Sequence, residues 1–186
     1  MRILGIDPGI GICGFGLIDF RSGSKARALD FGAVTTKVDA PLPSRLLELY
    51  NSLSEVFKET KPEVVAVEKL FFAKNITTGI AVAEARGVVL LVAEQNKVPV
   101  YEYTPNEIKK ALTGYGSATK TQMQEMVKME LGLEKKSKPD DAADALAVAI
   151  TCGFLYRNGK NDEYKFSNMK NLDFSLERKV QKKKPI

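Results

Sequence analysis

The segment EVVAVE, at residues 63–68, restricts the fold of this chain more than any other feature of the sequence. A continuous apolar run between polar ends is typical of a strand that is buried on both faces, as in a parallel sheet covered by helices. Helical patterns flank the run on both sides. One begins near Ser44, which we expect to cap the helix, and the other spans about Thr77 to Asn96. The order of these patterns predicts an α/β domain.

The remaining segments complete a mixed sheet of five strands flanked by helices. Residues 2–7 are predicted to form a first buried strand. The stretches "ICGFGLIDF" and "ARALDFGAVTTKV", joined by the turn "RSGSK", are predicted to form two further strands, and the three together make an antiparallel meander. The last strand, at residues 98–103, leads into a capping box over Thr104–Glu107. Two further helices are predicted near residues 119–131 and from Asp140 onwards.

Composition excludes several kinds of chemistry. The 186 residues suffice for one domain with a sizeable core, and they include no histidine and only two cysteines, Cys13 and Cys152. Imidazole catalysis and a zinc site of the usual Cys/His type are therefore excluded. We expect both thiols to be small apolar residues of a reduced, cytoplasmic protein, with no membrane span and no signal peptide. Catalysis would have to use carboxylates, lysines, hydroxyls or a hard metal ion bound by oxygen.

The net positive charge lies at the C-terminal end. Residues 157–186 include nine basic and four acidic residues and so carry the whole net charge of +5, whereas residues 1–156 are neutral. We expect residues 1–156 to form one domain and residues 157–186 a flexible basic tail. Such a tail indicates either a polyanionic partner or a solvated, disordered segment, and composition does not choose between them.

Acidic residues stand at three places that the predicted fold could bring together. Asp7 ends the first strand, in "GIDPG", and Glu68 ends "VVAVE". If these strands are parallel neighbours, both carboxylates face the same cleft. Asp141 and Asp144 are three residues apart, so they share one face of the last helix. Asp140 shares that face too, and helical geometry alone does not choose between Asp140 and Asp141. Because Asp140 follows Pro139, we expect it to cap the helix.

Each carboxylate also has an ordinary explanation. Asp7 suits a turn, Glu68 could end a strand in solvent, and Asp141 is favourable near a helix N-terminus. Asp144 lies among alanines and leucine, where a charge is unfavourable unless it is paired or metal-bound. Four carboxylates at one edge would repel each other, but two divalent cations such as Mg²⁺ or Mn²⁺ would balance them. Two such ions are the usual means of phosphodiester hydrolysis.

The motifs resemble those of a known family. The stretches "ILGIDPG", "VAVEKLFFAKN", "EARGV", "GSATK" and "DDAADALAVAIT" are similar to those of the RuvC-type Holliday junction resolvases, endonucleases with an RNase H-like fold. The resemblance implies that Asp7, Glu68, Asp141 and Asp144 are the catalytic, metal-binding positions, with two Mg²⁺ ions per site and Mn²⁺ as a substitute. Some relatives have histidine where Asp141 stands. In this chain all four positions are carboxylates.

The same resemblance implies a substrate and partners. Phe71 matches an aromatic residue that interacts with bases near the crossover, although it could be a core residue. Lys109 and Lys120 match lysines that contact DNA or assist catalysis, although both could simply be solvated. The family implies a homodimer that nicks two strands of like polarity in a four-way DNA junction during recombination and repair. It also implies cooperation with the RuvA–RuvB branch-migration complex.

Three other functions compete with this interpretation. Sugar kinases and actin-like ATPases share an acidic-glycine turn after the first strand, but they usually need two such domains, for which 186 residues are too few. An RNase H-like nuclease acting on RNA is a closer alternative, which "FFAKN" and "DDAAD" disfavour. A junction-binding module with a silent site is the non-enzymatic alternative, and the four intact acids argue against it.

Overall fold

The computed structural model describes residues 1–70, 76–135 and 137–159. Within these ranges the sheet has five strands in the order β3-β2-β1-β4-β5. The strands are β1 (Arg2–Asp7), β2 (Ile12–Asp19), β3 (Arg27–Thr35), β4 (Val64–Glu68) and β5 (Val100–Tyr103). β2 pairs antiparallel with β1 and β3, whereas β4 runs parallel to β1 and β5. The predicted meander and the predicted mixed sheet are therefore confirmed.

Helices connect and cover these strands. They are α1 (Leu42–Thr60), α2 (Ile76–Gln95), α3 (Pro105–Thr113), α4 (Lys120–Leu131) and α5 (Asp140–Arg157). Capping boxes at Thr104 and Thr119 start α3 and α4, and Gly114 and Gly132 end them with φ angles of 83° and 63°. Among the described residues, no helix is both long enough and apolar enough to span a membrane.

The start of α1 differs from the sequence-based prediction. α1 begins at Leu42, so Ser44 lies inside its first turn, and Pro41 holds the cap position without a side-chain hydrogen bond. Pro43 also stands in the first turn. Proline is tolerated there because the first N–H groups have no partner within the helix and its fixed φ already suits helical backbone. The predicted cap at Ser44 is therefore wrong.

Apolar layers cover both faces of the sheet, as the run in β4 predicts. On one face α1 and α2 pack over Leu4, Val65 and Val67. On the other face α5 packs over Ile3 and Ala66, with α3 and α4 on its outer side. Successive strand residues point to opposite faces, so β4 contributes to both layers and has to be apolar throughout.

Glycines in β1 and β2 let α5 approach the sheet closely. A β-carbon at Gly5 would lie 2.0 Å from the Ala145 carbonyl oxygen, and one at Gly14 would lie 2.1 Å from that of Asp141. Any larger residue would push α5 away, because close-packed interiors have no room for such contacts. Gly14 is also the register partner of Asp7. These glycines therefore determine how near the start of α5 comes to the end of β1.

Candidate active site

The carboxyl ends of β1 and β4 lie side by side at one edge of the sheet. Ile6 and Val67 are register partners, and the next residue of each strand is acidic, Asp7 and Glu68. α1 and α3 begin near the same edge, because the strands that precede them, β3 and β5, run in the same direction as β1. Helix N-termini carry partial positive charge, so this edge suits an anionic ligand. The predicted parallel arrangement of the two strands is confirmed.

Asp7 and Glu68, here called the strand pair, form the inner half of the site. Their side chains share a hydrogen bond. Burial is the main cause that raises the pKa of Asp7 to about 6 and the pKa of Glu68 to about 7. The negative charge of Asp144 raises both pKa values further. Near neutral pH the strand pair therefore retains a proton for part of the time.

Asp141 and Asp144, here called the helix pair, form the outer half of the site on the first turns of α5. Both side chains are half-buried, and the charge of each raises the pKa of Asp7. The close contact at Gly14 holds the Asp141 backbone against β2, beside the end of β1. The fold thus brings the four carboxylates predicted from the sequence into one electrostatic cluster.

Two lysines line a cleft beside this cluster. Lys120, at the start of α4, places Nζ 3.1 Å from Asp144 Oδ2, and this hydrogen bond raises the lysine's pKa. Lys109, on α3, lines the same cleft, and its positive charge opposes the rise in the pKa of Glu68. Pro105, Ile108, Met123 and Ala147 complete the described wall. Both lysines predicted to contact DNA therefore lie at the carboxylate cluster.

Asp140 lies outside the cluster. The N-cap position of α5 belongs to Pro139, which makes no side-chain cap bond, so the expectation that Asp140 caps the helix is wrong. Its exposed carboxylate accepts a hydrogen bond from Gln124 Nε2 at 3.1 Å and lies 3.5 Å from Lys120 Nζ. Asp140 does not contribute to the pKa shift of Asp7, whereas Asp141 and Asp144 do. Geometry thus separates the two neighbours that sequence spacing left equivalent.

The donor set fits hard divalent cations. All four carboxylates supply oxygen, and the strand pair is a half-buried acidic pair whose raised pKa values a nearby cation would lower. In the side-chain orientations seen across the described residues, no three acidic, histidine or cysteine side chains are arranged to hold a metal ion. One oxygen of Asp144 lies 3.1 Å from Lys120 Nζ in this arrangement.

Two further residues complete the comparison with the sequence-based prediction. Phe71 lies outside the described residues. Gly14 was missed, although the alternation of glycine in "GFG" within a strand is a signal of close backbone approach. Gly14 positions Asp141 rather than acting chemically, so no search for acidic or basic residues would have found it.

Comparisons with known proteins agree with this site. A model of the family "Crossover junction endodeoxyribonuclease RuvC" matches residues 3–152. The enzyme of that name from Brevibacillus brevis is 51% identical over 151 residues, which cover 81% of this chain and 90% of the relative. That from Caldicellulosiruptor saccharolyticus is 50% identical over 150 residues, covering 81% of this chain and 90% of the relative.

Solved structures show the same relationship. Thermus thermophilus RuvC in complex with a Holliday junction substrate matches with a TM-score of 0.84 at 37% identity, covering 89% of this chain and 99% of the other. The yeast mitochondrial Holliday junction resolvase Ydc2 matches with a TM-score of 0.61 at 17% identity, covering 88% and 81%, a likeness that shows the fold alone. The predicted RNase H-like fold is confirmed. The family model and the half-identical relatives together show that this chain belongs to the RuvC family of crossover junction endodeoxyribonucleases.

Proposed function

We propose that this protein resolves four-way DNA junctions by nicking two strands of like polarity symmetrically, in recombination and repair. The observation that carries the proposal is the cluster of four carboxylates at the carboxyl edge of the sheet in a RuvC-family chain. The Thermus thermophilus relative was solved with a Holliday junction substrate, which supports the same substrate here. No observation favours an RNA substrate or a silent binding module.

Asp7, Glu68, Asp141 and Asp144 are the proposed catalytic residues and metal ligands. Their four negative charges would balance two Mg²⁺ ions, or two Mn²⁺ ions as substitutes. When bound, such ions activate the attacking water and stabilise the leaving oxygen. To act as ligands, the strand pair has to release its proton and Asp144 has to leave Lys120. The strand pair is held by neighbouring parallel strands, so it provides the fixed part of the site.

Lys109 and Lys120 are the proposed DNA contacts of the cleft. They lie on α3 and α4, on the side of the sheet that α5 covers. Once Asp144 turns toward the other carboxylates, the Lys120 ammonium becomes available to a phosphate oxygen. The two lysines would then hold the backbone of the scissile strand against the carboxylates, and Phe71, outside the described residues, is proposed to stack on bases near the crossover.

A homodimer formed through α2 fits the exposed side of that helix. Ile80 and Leu91 are 53% and 51% exposed although the helix is apolar on its inner side as well. Ile80, Gly87 and Leu91 are separated by seven and four residues, so they share one outer face. A second copy of the chain would bury this face, and the two-fold axis of the dimer would match that of a four-way junction.

The remaining proposals concern partners, location and the tail. We propose that the protein works in the cytoplasm with the RuvA–RuvB branch-migration complex. Residues 1–156 would form the nuclease domain. The predicted basic tail begins at Arg157, the last residue of α5, and its residues 160–186 lie outside the described residues; its positive charge would add salt-sensitive DNA affinity.

A cleavage assay on synthetic substrates tests the function. The protein should nick a four-way junction at symmetric positions in Mg²⁺, and it should leave linear duplex DNA and an RNA–DNA hybrid intact. Chelation of the metal should abolish nicking without abolishing junction binding. Preferential cutting of the hybrid would contradict the proposal, and junction binding without nicking in Mg²⁺ or Mn²⁺ would favour the silent module.

A further inference from the structure

We propose that Arg45 binds a backbone phosphate of the scissile DNA strand, on the side of Asp7 opposite to Lys109 and Lys120. This inference rests on the proposed function and extends it, because it predicts which way the strand runs across the edge of the sheet. Neither the motifs in the sequence nor its acidic pattern points to Arg45, which stands in the first turn of α1.

Arg45 is held beside the turn that follows Asp7. Its Nε donates a hydrogen bond of 2.9 Å to Thr36 Oγ1, and this buried hydroxyl donates to the Ile10 carbonyl oxygen. The Thr36 N–H donates to the Gly11 carbonyl oxygen at 3.1 Å. One terminal nitrogen of the guanidinium lies 3.6 Å from the point where a β-carbon would stand if Gly11 had a side chain. The guanidinium is therefore fixed against the turn at residues 8–11, which starts at the candidate active site.

Arg45 has no ion-pair partner among the residues that the structure describes. Its hydrogen bond to Thr36 uses Nε and leaves the terminal nitrogens as donors. The first turn of α1 contains no acidic residue. A half-buried guanidinium that is fixed by a neutral hydroxyl and has free donors suits a phosphate oxygen.

The position of Arg45 complements that of the two lysines. α1 covers one face of the sheet, and α3 and α4 lie on the other. The carboxylates end the strands between these two layers. A DNA strand that is cut at the carboxylates and held by Lys109 and Lys120 would continue over the turn at residues 8–11 toward Arg45. Positive groups would then hold phosphates on both sides of the scissile bond.

A purely structural role is the competing explanation, because Arg45 also braces Thr36 and the turn. An arginine that only braces the turn would contribute to stability and to the position of Asp7, but it would not release counterions when DNA binds. The dependence of junction affinity on salt separates the two roles, since each phosphate contact contributes about 0.9 to the slope of log affinity against log salt.

The experiment compares Arg45→Gln with Lys58→Gln, using the full-length protein and a synthetic four-way junction in EDTA. Lys58 lies in the last turn of the same helix, exposed at the opposite end, so both variants lose one positive charge. We expect Arg45→Gln to weaken junction binding about tenfold at 0.1 M salt and to lower the slope by about 1. Lys58→Gln should keep the wild-type slope. Equal slopes for Arg45→Gln and the wild type would overturn the inference.

Arg45→Lys guards against a folding defect in the first variant. Lysine keeps the charge, but it cannot hold Thr36 and a phosphate in the fork geometry of arginine. If Arg45 contacts a phosphate, Arg45→Lys should keep the wild-type slope. If Arg45 only braces Thr36 and the turn, Arg45→Lys should weaken junction binding as much as Arg45→Gln does and should melt at a similarly lowered temperature. Failure of the wild-type protein to cut the junction in Mg²⁺ would count against the proposed function, whatever the slopes.

Discussion

The two halves of the carboxylate cluster carry the same kind of side chain but manage its charge differently. The strand pair, Asp7 and Glu68, is half-buried, and its repulsion is relieved by a retained proton, as the pKa values of about 6 and about 7 indicate. The helix pair, Asp141 and Asp144, is half-buried too, but Lys120 neutralises one of its members through a contact of 3.1 Å.

This difference indicates a division of labour. The strand pair is held in place by parallel strand pairing, so in the proposed metal site a cation would meet it in nearly the orientation seen here. The helix pair depends on how closely α5 packs on the sheet and on whether Lys120 releases Asp144. If the proposed metal site is correct, the inner half would therefore supply rigid ligands, and the outer half would supply ligands whose availability another helix controls.

Asp7→Asn breaks the strand pair and should have the largest effect. We expect cleavage to fall by several orders of magnitude, because one of the proposed metal ligands is lost, while junction binding is retained. The free energy of unfolding without metal should rise at pH 7.5, because a neutral amide at this position avoids the unfavourable burial of a negative charge. Gel shift, junction cleavage and denaturant unfolding on one preparation measure all three effects.

Asp30→Asn is the matched control for that change, because Asp30 is an exposed carboxylate on β3, the edge strand farthest from β5. It should retain full cleavage and unchanged stability. Substantial nicking by Asp7→Asn would remove Asp7 from the list of metal ligands.

Gly14→Ala tests whether packing couples the two halves. Its β-carbon would meet the Asp141 carbonyl oxygen at 2.1 Å, so the start of α5 has to move away from β2. We expect a loss of about 1–3 kcal/mol in the free energy of unfolding and a fall in cleavage of about a hundredfold. Circular dichroism melting and the rate of junction cleavage with saturating protein measure the two quantities.

Gly16→Ala provides the comparison, because its nearest neighbours, at 2.7 Å, are side-chain carbons of Leu146 that can rotate. It should lose stability without a comparable loss of cleavage. If both variants lose activity only in proportion to their stability, Gly14 has no special part in positioning Asp141.

The pH dependence of stability should distinguish the strand pair from ordinary carboxylates. The native pKa values of about 6 and about 7 lie above the ordinary values of 3.8 and 4.5, so between about pH 4 and pH 7 the native state binds more protons than the unfolded state. The pair's contribution to the free energy of unfolding therefore falls as pH rises through this window, and it is constant above it.

Urea unfolding of the wild type and Glu68→Gln in EDTA, from pH 4.5 to pH 8, measures that contribution as a difference. The wild type should lose stability relative to the variant as pH rises. In a second series, with Mg²⁺ in place of EDTA, this loss should be smaller. A difference that does not change with pH would show that the pair is not protonated in the native state.

Asp140→Ala should have the smallest effect. Asp140 is exposed and makes only surface contacts with Lys120 and Gln124, so its loss should change the free energy of unfolding by less than about 0.5 kcal/mol. Metal-dependent cleavage should stay near normal. Asp141→Ala, one residue away, should lose cleavage with little loss of stability. Thermal melting without metal and junction cleavage in Mg²⁺ compare the two, and inactivity of Asp140→Ala would exchange their assignments.

Much of the fold could be predicted from the sequence because it is encoded locally. The apolar run at residues 64–67 predicts a central strand, and the spacing at Thr104 and Glu107 predicts a capped helix start. The ends of β1 and β4 predict where Asp7 and Glu68 lie, since parallel neighbours finish at one edge. The start of α1 was missed because proline and serine both suit a first turn, and local preference does not decide between them.

The sequence by itself thus determined the elements, the sheet edge that carries the acids and the family, since these depend on periodicity and on short motifs. The family resemblance already selected Asp141 over Asp140, but only the tertiary structure gave the physical reason for that choice, identified Gly14 as the contact that positions α5, and paired Lys120 with Asp144. It also placed Arg45 against the turn after Asp7. Contacts between distant parts of the chain decide each of these features, because burial and charge at a site depend on which helices pack over it.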